Sequence, residues 1–455
     1  MESVPDVASN LLNFAQTKRR AVSSRCYRIK VPTSNGQVFN PGQTMNLDLG
    51  GSIQSTYYDF GQSYFKMTIT NNGAATPADD CCFDGNSGAY SMINRMQCIT
   101  GGQTISDIQQ FNVLASALMT QNVNANWQSN VGQNLIGCGV TGARQGQIIP
   151  GAGGSITVCL PFICTALSGT TPTRYVPAFS RDSLRFRLYL ESLVSGVCSS
   201  IAGQGGAPVL VVSETEAVMY CVELSPAAQS LVGAMTGNVY NILCNDWRTA
   251  NGSFTGAAAP LTTVQTLGFS VSSLERVLIV HRNNATVIQN ANSVGSRSTA
   301  TLQEFQLLIN GQSFPERPIL YAGTAGLGAG AETLAETLVA QHALSDFGHD
   351  SSLAKSAGVA TPGVVTSSLT KFNLVNSNGL TEATTGTFMC AIELESMAGK
   401  SDTIYSGIST VGAVVQYRGV YTAPAVGTFD LSFFAQNTIL LTLDMNGLGT
   451  FIVSV

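Results

Sequence analysis

Apolar and polar residues alternate along much of the chain, and this two-residue period predicts β-strands with one buried face. In the clearest run, Leu184–Glu191, a Leu or Phe at every even position alternates with a polar residue or tyrosine. The segment Phe65–Thr70 follows the same rule. Many such short runs with turn residues between them indicate an all-β sandwich or jelly roll.

Two similar hairpins lie 209 residues apart. The predicted strand Met96–Thr100 is followed by the dipeptide Gly101-Gly102 and a second strand. The predicted strand Phe305–Ile309 is likewise followed by Asn310-Gly311 and a second strand. Both dipeptides tolerate positive φ at the two central positions, as a two-residue hairpin turn requires. A second echo, 204 residues apart, matches Leu184–Ser192 to Phe388–Ser396.

These echoes predict two similar β domains in tandem, and chance similarity between short strands is the alternative. The predicted divisions are an N-terminal arm at 1–25, a first β domain at 26–225, a linker helix at 226–237 and a second β domain at 238–455.

Few and short helices are expected beside the strands. The best candidate runs from Ile108 to Leu118, with Asp107 near its positive N-terminal end. Two more are predicted at Ala227–Met235 and around Leu334–Val339. The last hairpin of the chain is predicted to turn at Asn446-Gly447.

Charge is sparse, at 11 % of 455 residues, against roughly 25 % in an ordinary soluble domain. Strands and turns with so few charges suit surfaces that neighbouring molecules cover, as in large assemblies. The net charge of −5 argues against polyanion binding by the body of the protein. Eleven cysteines without a CxxC pair predict reduced thiols made in a reducing compartment.

The basic residues Lys18, Arg19 and Arg20 follow a short amphipathic stretch in the N-terminal arm. An arm that contacts a partner, a membrane surface or nucleic acid is one interpretation, and a frayed, solvated terminus is the other. The arm lacks the order of features of a signal peptide. No apolar run reaches the roughly 18 residues that would suggest a membrane span.

A long segment at 121–154 is rich in Asn, Gln and Gly, and long ordered loops commonly form functional surfaces. Within it, Trp127, Gln128 and Asn130 are the candidates for a surface or inter-subunit contact. Packing inside the fold is the alternative for Trp127.

The sequence offers little chemistry. His342, Asp346 and His349 could be drawn as a metal site, but a solvated helix end explains them better because no further ligand reinforces them. Glu393 and Glu395 share a strand face without an identifiable opposing acid. No nucleophile elbow or phosphate-binding glycine motif occurs. We therefore predict no enzyme, and no catalytic, cofactor-binding or metal-binding residue.

Three segments resemble a known family: Ser63–Asn71, Gly88–Arg95 and Gly101–Leu114. Their order is similar to the first jelly roll of the double jelly-roll major capsid proteins of the adenovirus–tectivirus lineage, in the style of polinton-like viruses, adintoviruses and virophages. Gly419–Val455 resembles the last strands of the second roll. The resemblance reaches about a third of the chain, and the tandem repeat extends it to the rest.

The resemblance implies two eight-stranded antiparallel jelly rolls with a few short helices. It implies a homotrimer that forms a pseudo-hexagonal, hexon-like tile of an icosahedral shell in the virion of a DNA virus. Neighbouring trimers, a separate penton protein and minor capsid proteins would be the partners. The arm with Lys18, Arg19 and Arg20 would lie inside, near the genome or an inner membrane.

Two other readings remain open. A capsid protein with one shell jelly roll and a projecting β domain predicts an unrelated second half, which the echoes disfavour. A secreted β-sandwich adhesin or lectin predicts a signal peptide, paired cysteines or an acidic or aromatic site, and none is evident.

Overall fold

The computed structural model describes residues 24–51, 53–75, 79–123, 127–138, 148–168, 175–192, 198–200, 208–256, 259–283, 297, 299–321, 330–344, 388–395, 407–422 and 427–454. The basic residues Lys18, Arg19 and Arg20, and the candidate ligands Asp346 and His349, lie outside these ranges.

The first half of the chain holds thirteen strands in its described part. They are β1 (Ser24–Pro32), β2 (Val38–Phe39), β3 (Thr44–Leu49), β4 (Thr56–Asn71), β5 (Cys81–Phe83), β6 (Ile93–Thr100), β7 (Gln103–Gln109), β8 (Ile148–Ile149), β9 (Gly154–Pro161), β10 (Val176–Pro177), β11 (Leu184–Leu190), β12 (Cys198–Ser200) and β13 (Leu210–Leu224).

The second half contributes nine more described strands. They are β14 (Val239–Thr255), β15 (Leu261–Leu267), β16 (Leu274–Asn283), β17 (Leu302–Ile309), β18 (Gln312–Leu320), β19 (Cys390–Glu393), β20 (Val415–Tyr421), β21 (Thr428–Asp444) and β22 (Phe451–Ser454).

The helices are short, as expected. They are a 3-10 turn at Ala89–Met92, α1 (Phe111–Asn122), a π-helical turn at Gln128–Gly132 that continues into α2 (Gln133–Ile136), α3 (Pro226–Thr236) and α4 (Ala331–Val339). Within the described ranges, no helix combines the length and the apolar character needed to cross a membrane.

The two halves have the same strand order. In the first, β1-β13-β4-β9 form one sheet and β3-β11-β6-β7 the other. In the second, β14-β21-β16-β19 and β15-β20-β17-β18 repeat this order strand for strand. Each half is therefore an eight-stranded antiparallel jelly roll, and the predicted double jelly roll is confirmed. Because the second half repeats the first, the alternative of one jelly roll followed by an unrelated projecting domain is wrong.

Both predicted hairpin turns are present. The dipeptides Gly101-Gly102 and Asn310-Gly311 connect β6 to β7 and β17 to β18, and all four residues have positive φ. The strand alternation also holds, since Leu184, Phe186 and Leu188 are buried while the residues between them are partly exposed.

The linker helix α3 follows from local sequence. The Ser225 hydroxyl accepts a hydrogen bond from the backbone N–H of Ala228, and Pro226 occupies the first helical position. Gly237 ends the helix at φ 63°, a conformation that glycine adopts without steric cost. The predicted helix at Ala227–Met235 is confirmed.

The first predicted helix begins later than expected. Ile108 belongs to β7, where it pairs with Met96, and α1 starts at Phe111 after the left-handed residue Gln110. Asp107 is also on the strand, where it pairs with Gln97, and its carboxylate binds the diagonal neighbour Arg95 on β6 rather than a helix end. Strand pairing to β6 thus overrides the apparent helical spacing.

Two other expectations fail. Leu184–Ser192 and Phe388–Ser396 are not equivalent, because β11 lies in one sheet of its roll and β19 in the other sheet of the second roll. The topological counterpart of β11 is β20. The last hairpin exists, but residues 445–450 connect β21 to β22, so Asn446-Gly447 is part of a longer loop.

In the sheet β14-β21-β16-β19, strand β16 and the middle of β21 are buried on both faces. On β16, Val277 and Ile279 enter the core of the second roll, whereas Leu278 and Val280 join the core of the first. A strand covered on both sides reads as a continuous apolar run, which explains the sequence of β16. The two rolls therefore share packed surface instead of being joined only by α3.

Candidate functional site: the seam between the rolls

The seam places β7 and the start of α1 against strands of the second roll. The Thr249 hydroxyl on β14 donates a hydrogen bond to the backbone carbonyl of Gln109, with an O···O distance of 2.9 Å. The Ser432 hydroxyl on β21 donates to the side-chain carbonyl of Gln110. These contacts fix the end of β7 on the neighbouring sheet and set the angle at which α1 begins.

Asp246 on β14 is the most deeply buried acid of the seam, with 0 % of its surface exposed. It accepts a hydrogen bond from the Ser106 hydroxyl on β7, and its second oxygen lies 3.4 Å from Nε of the half-buried Arg248. Burial raises the pKa of Asp246 to about 6, although Ser106 and Arg248 favour the charged form. The seam thus contains a carboxyl that is held close to its protonation midpoint at mildly acidic pH.

An ion pair lies beside it on the first roll. Arg95 Nε is 2.7 Å from Asp107 Oδ1, and the Gln97 amide donates to Asp107 Oδ2 at 3.1 Å. Burial alone would raise the pKa of Asp107, but the hydrogen bonds from Arg95 and Gln97 lower it overall. Asp107 therefore loses its proton at a lower pH than its neighbour Asp246 does.

A buried guanidinium joins the rolls at a second point. Arg297 is 1 % exposed, and it donates to the Thr120 hydroxyl on α1 at 2.9 Å and to the Met389 sulfur at 3.5 Å. Burial lowers the pKa of Arg297 to about 10, and the charge of Asp84 acts in the opposite direction. Polar contacts from both rolls thus converge on one cation.

The segment with the predicted contact residues packs close to the first core. Asn130 is exposed, Trp127 is half-buried against the core, and Gln128 is only 2 % exposed. A Cβ on Gly132 would lie 2.5 Å from both the Trp127 ring and the Cys138 sulfur, so the glycine lets the indole lie flat there. Gln128 is buried in the single chain, and the contact roles of Trp127, Gln128 and Asn130 stay predictions.

The remaining histidine on a strand is structural. His281 is buried, with Nε2 2.9 Å from the Tyr421 hydroxyl, and burial lowers its pKa to about 3. The neutral ring lies between the hydroxyl groups of Tyr417 and Tyr421 and packs in the second core. The cysteines whose side chains are described are all free thiols.

The buried polar residues Ser106, Asp246 and Arg297 of the seam were not predicted from the sequence, and Asp107 was assigned to a helix end. Asp246 stands in Asn245–Arg248, a stretch without a motif, and Ser106 is 140 residues away. The available signal was an acid that continues the buried alternation of Tyr240, Ile242 and Cys244 along β14. That signal marks a buried polar group but does not identify its partner.

No family model and no curated protein sequence matches the chain. Solved structures do match. A quasi-atomic model of the PBCV-1 virus capsid aligns with 97 % of this chain and 99 % of its own at 11 % identity and a TM-score of 0.60. The Faustovirus major capsid protein covers 95 % and 92 % at 8 % identity and a TM-score of 0.58. The mavirus major capsid protein covers 100 % and 96 % at 10 % identity and a TM-score of 0.53. At these identities the likeness establishes a shared fold over the full length.

Proposed function

We propose that this chain is a viral major capsid protein, a structural and non-enzymatic component of the virion. The observation that carries the proposal is the repeated strand order of the two rolls, together with a full-length likeness in fold to capsid proteins. We retain 26–225 and 238–455 as the limits of the two domains, joined by a linker at 226–237.

The proposed assembly is a homotrimer. Each copy contributes two similar rolls held side by side by the seam, so three copies around a threefold axis place six rolls in a ring. Such a pseudo-hexagonal, hexon-like tile would pack with neighbouring trimers into an icosahedral shell. A penton protein, minor capsid proteins and contact of the N-terminal arm with genome or an inner membrane complete the proposed partners.

The charge pattern supports burial in an assembly. Only 11 % of residues are charged, which leaves much of each sheet surface with small polar groups that a neighbour can cover without desolvating ions.

The test is the mass of the purified full-length protein by light scattering, with negative-stain imaging of the same sample. We expect about three times the chain mass of 47.6 kDa, or closed shells, because stable tiles bury large interfaces. A folded protein that stays monomeric at high concentration would refute the assembly. A glycan-binding screen of that monomer would then test the adhesin reading.

A further inference from the structure

Three metal-ligating side chains converge at one end of the second roll. His342 follows α4, and Glu393 and Glu395 lie at the end of β19. One candidate ligand atom from each lies within 4.8 Å of the other two, and His342 Nε2 is 3.3 Å from Glu395 Oε2. The metal triplet His342, Asp346 and His349 considered from the sequence shares only His342 with this cluster.

The backbone builds this convergence. The N–H of His342 donates to the Val339 carbonyl at 2.8 Å, and His342 has a left-handed φ of 55° that ends the helix. This conformation is uncommon for a residue with a side chain but is enriched in histidine. Glu393 ends β19 and Glu395 follows two residues later, and a carboxylate oxygen of each lies within 4.8 Å of the other.

Glu393 is only partly satisfied. Its Oε1 accepts the backbone N–H groups of Leu394 at 3.1 Å and of Glu395 at 2.9 Å. Its Oε2 is shielded from solvent and accepts no hydrogen bond from the described residues. A buried carboxylate oxygen without a donor is costly, and a cation would relieve that cost.

The surrounding charges are unbalanced in the part of the chain that the structure describes. The electrostatic neighbours of Arg276 are Glu275, Glu393 and Glu395, so three carboxyls face one guanidinium. Arg276 directs its donors elsewhere, to the Gln436 side chain and the Ala340 carbonyl, both at 2.5 Å. Glu275 is occupied by Thr438 and Gln436. Among the acids near Arg276, Glu393 therefore has a carboxylate oxygen that no donor of the described residues satisfies.

We propose that His342, Glu393 and Glu395 bind one divalent transition-metal ion, with Zn²⁺ as the best fit. Imidazole nitrogen and carboxylate oxygen are both zinc ligands, and three protein ligands leave a fourth position for water. Ca²⁺ takes oxygen ligands, so the imidazole nitrogen of His342 would not bind it. The metal would tie the turn after α4 to the edge strand β19. The inference does not rest on the capsid proposal.

The experiment is a calorimetric titration of ZnCl₂ into full-length protein freed of metal by EDTA, in the Cys26→Ser background to remove the exposed thiol. We expect one zinc per chain. His342→Ala and Glu395→Gln should each weaken binding by more than about 100-fold, beyond the 10–100-fold typical of outer-shell partners. Glu332→Gln, an exposed acid on α4, is the matched control and should bind zinc normally.

Thermal unfolding separates binding from folding. In EDTA, each variant should unfold at the temperature of its background protein, and added zinc should raise that temperature only when all three ligands are present. Zinc binding by both ligand variants with the affinity of the background protein would overturn the proposal, as would the absence of binding at about 100 micromolar zinc, a concentration far above the Kd of structural zinc sites. Calcium binding that is unaffected by His342→Ala would assign the site to an oxygen-preferring ion and overturn the zinc assignment.

Discussion

Replacing Asp246 with asparagine should change how stability depends on pH. Asp246 is fully buried at the seam, where its carboxyl accepts a hydrogen bond from Ser106. Asparagine keeps a carbonyl oxygen for that bond and cannot ionise. The substitution therefore removes the buried charge with little change in shape.

The direction in which stability changes with pH follows from the raised pKa of Asp246. Burial raises the pKa of Asp246 from 3.8 to about 6, so between these values the folded protein binds more protons than the unfolded chain. Its free energy of unfolding must then fall as pH rises from about 4 to about 6, and stay level above that. A pKa difference of this size corresponds to about 3 kcal/mol at 25 °C.

Equilibrium urea unfolding from pH 4.0 to 7.5 measures the effect, with the buried Trp247 next to Asp246 as a fluorescence reporter. The stability of the wild type minus that of Asp246→Asn should fall by about 3 kcal/mol across this range. A difference that is independent of pH would refute the reasoning.

Asp48→Asn is the control of opposite sign. Burial raises the pKa of Asp48, but the hydrogen bond and charge of Arg185 lower it overall. The stability that Asp48 contributes should be present above its unfolded-state pKa and be lost as pH falls through the lowered value.

Three further predictions concern packing and turns, and urea unfolding at pH 7.5 checks each. Gly102→Ala and Gly311→Ala should each cost about 1 kcal/mol from left-handed strain alone, since both residues have φ of 82° and open space around an added Cβ; clearly unequal costs would contradict the equivalence of the two hairpins. Phe186→Ala should cost about 3–5 kcal/mol, because Phe186 is fully buried among aromatic rings; a loss below about 1 kcal/mol would show that the core collapses around the cavity. Arg297→Met should lower stability by about 3 kcal/mol, because removing one partner leaves the charge of the buried Asp84 without its nearby cation; an unchanged stability would show that the burial cost of the guanidinium cancels that attraction.

The two hairpins were predictable because their signal is local. Gly101-Gly102 and Asn310-Gly311 encode the turn by their own backbone freedom, whatever surrounds them. The alternation in β11 was equally reliable, since a one-residue slip would expose the whole apolar set. The all-β class and the tandem repeat both follow from such features.

Other features depend on partners that the sequence does not reveal. The match between Leu184–Ser192 and Phe388–Ser396 reflects the few residue types that strands use, and it joined strands of different sheets. Ile108 fits a helical face in sequence, but hydrogen bonds to β6 extend the strand through it. The ligand cluster is non-local as well, because His342 and Glu395 are far apart in sequence and meet only when α4 packs against β19.

The seam explains why the second roll is more continuously apolar than an isolated jelly roll would be. Leu278 and Val280 on β16, and Ala391 on β19, pack with the first roll, while their strand neighbours fill the second core. Separating the rolls would expose these side chains together with Asp246 and Arg297, whose polar partners lie across the seam. The apolar surface lost to water and the unpaired polar groups both oppose separation. The two jelly rolls should therefore unfold as one cooperative body, and in the proposed trimer each chain would enter the assembly as one unit.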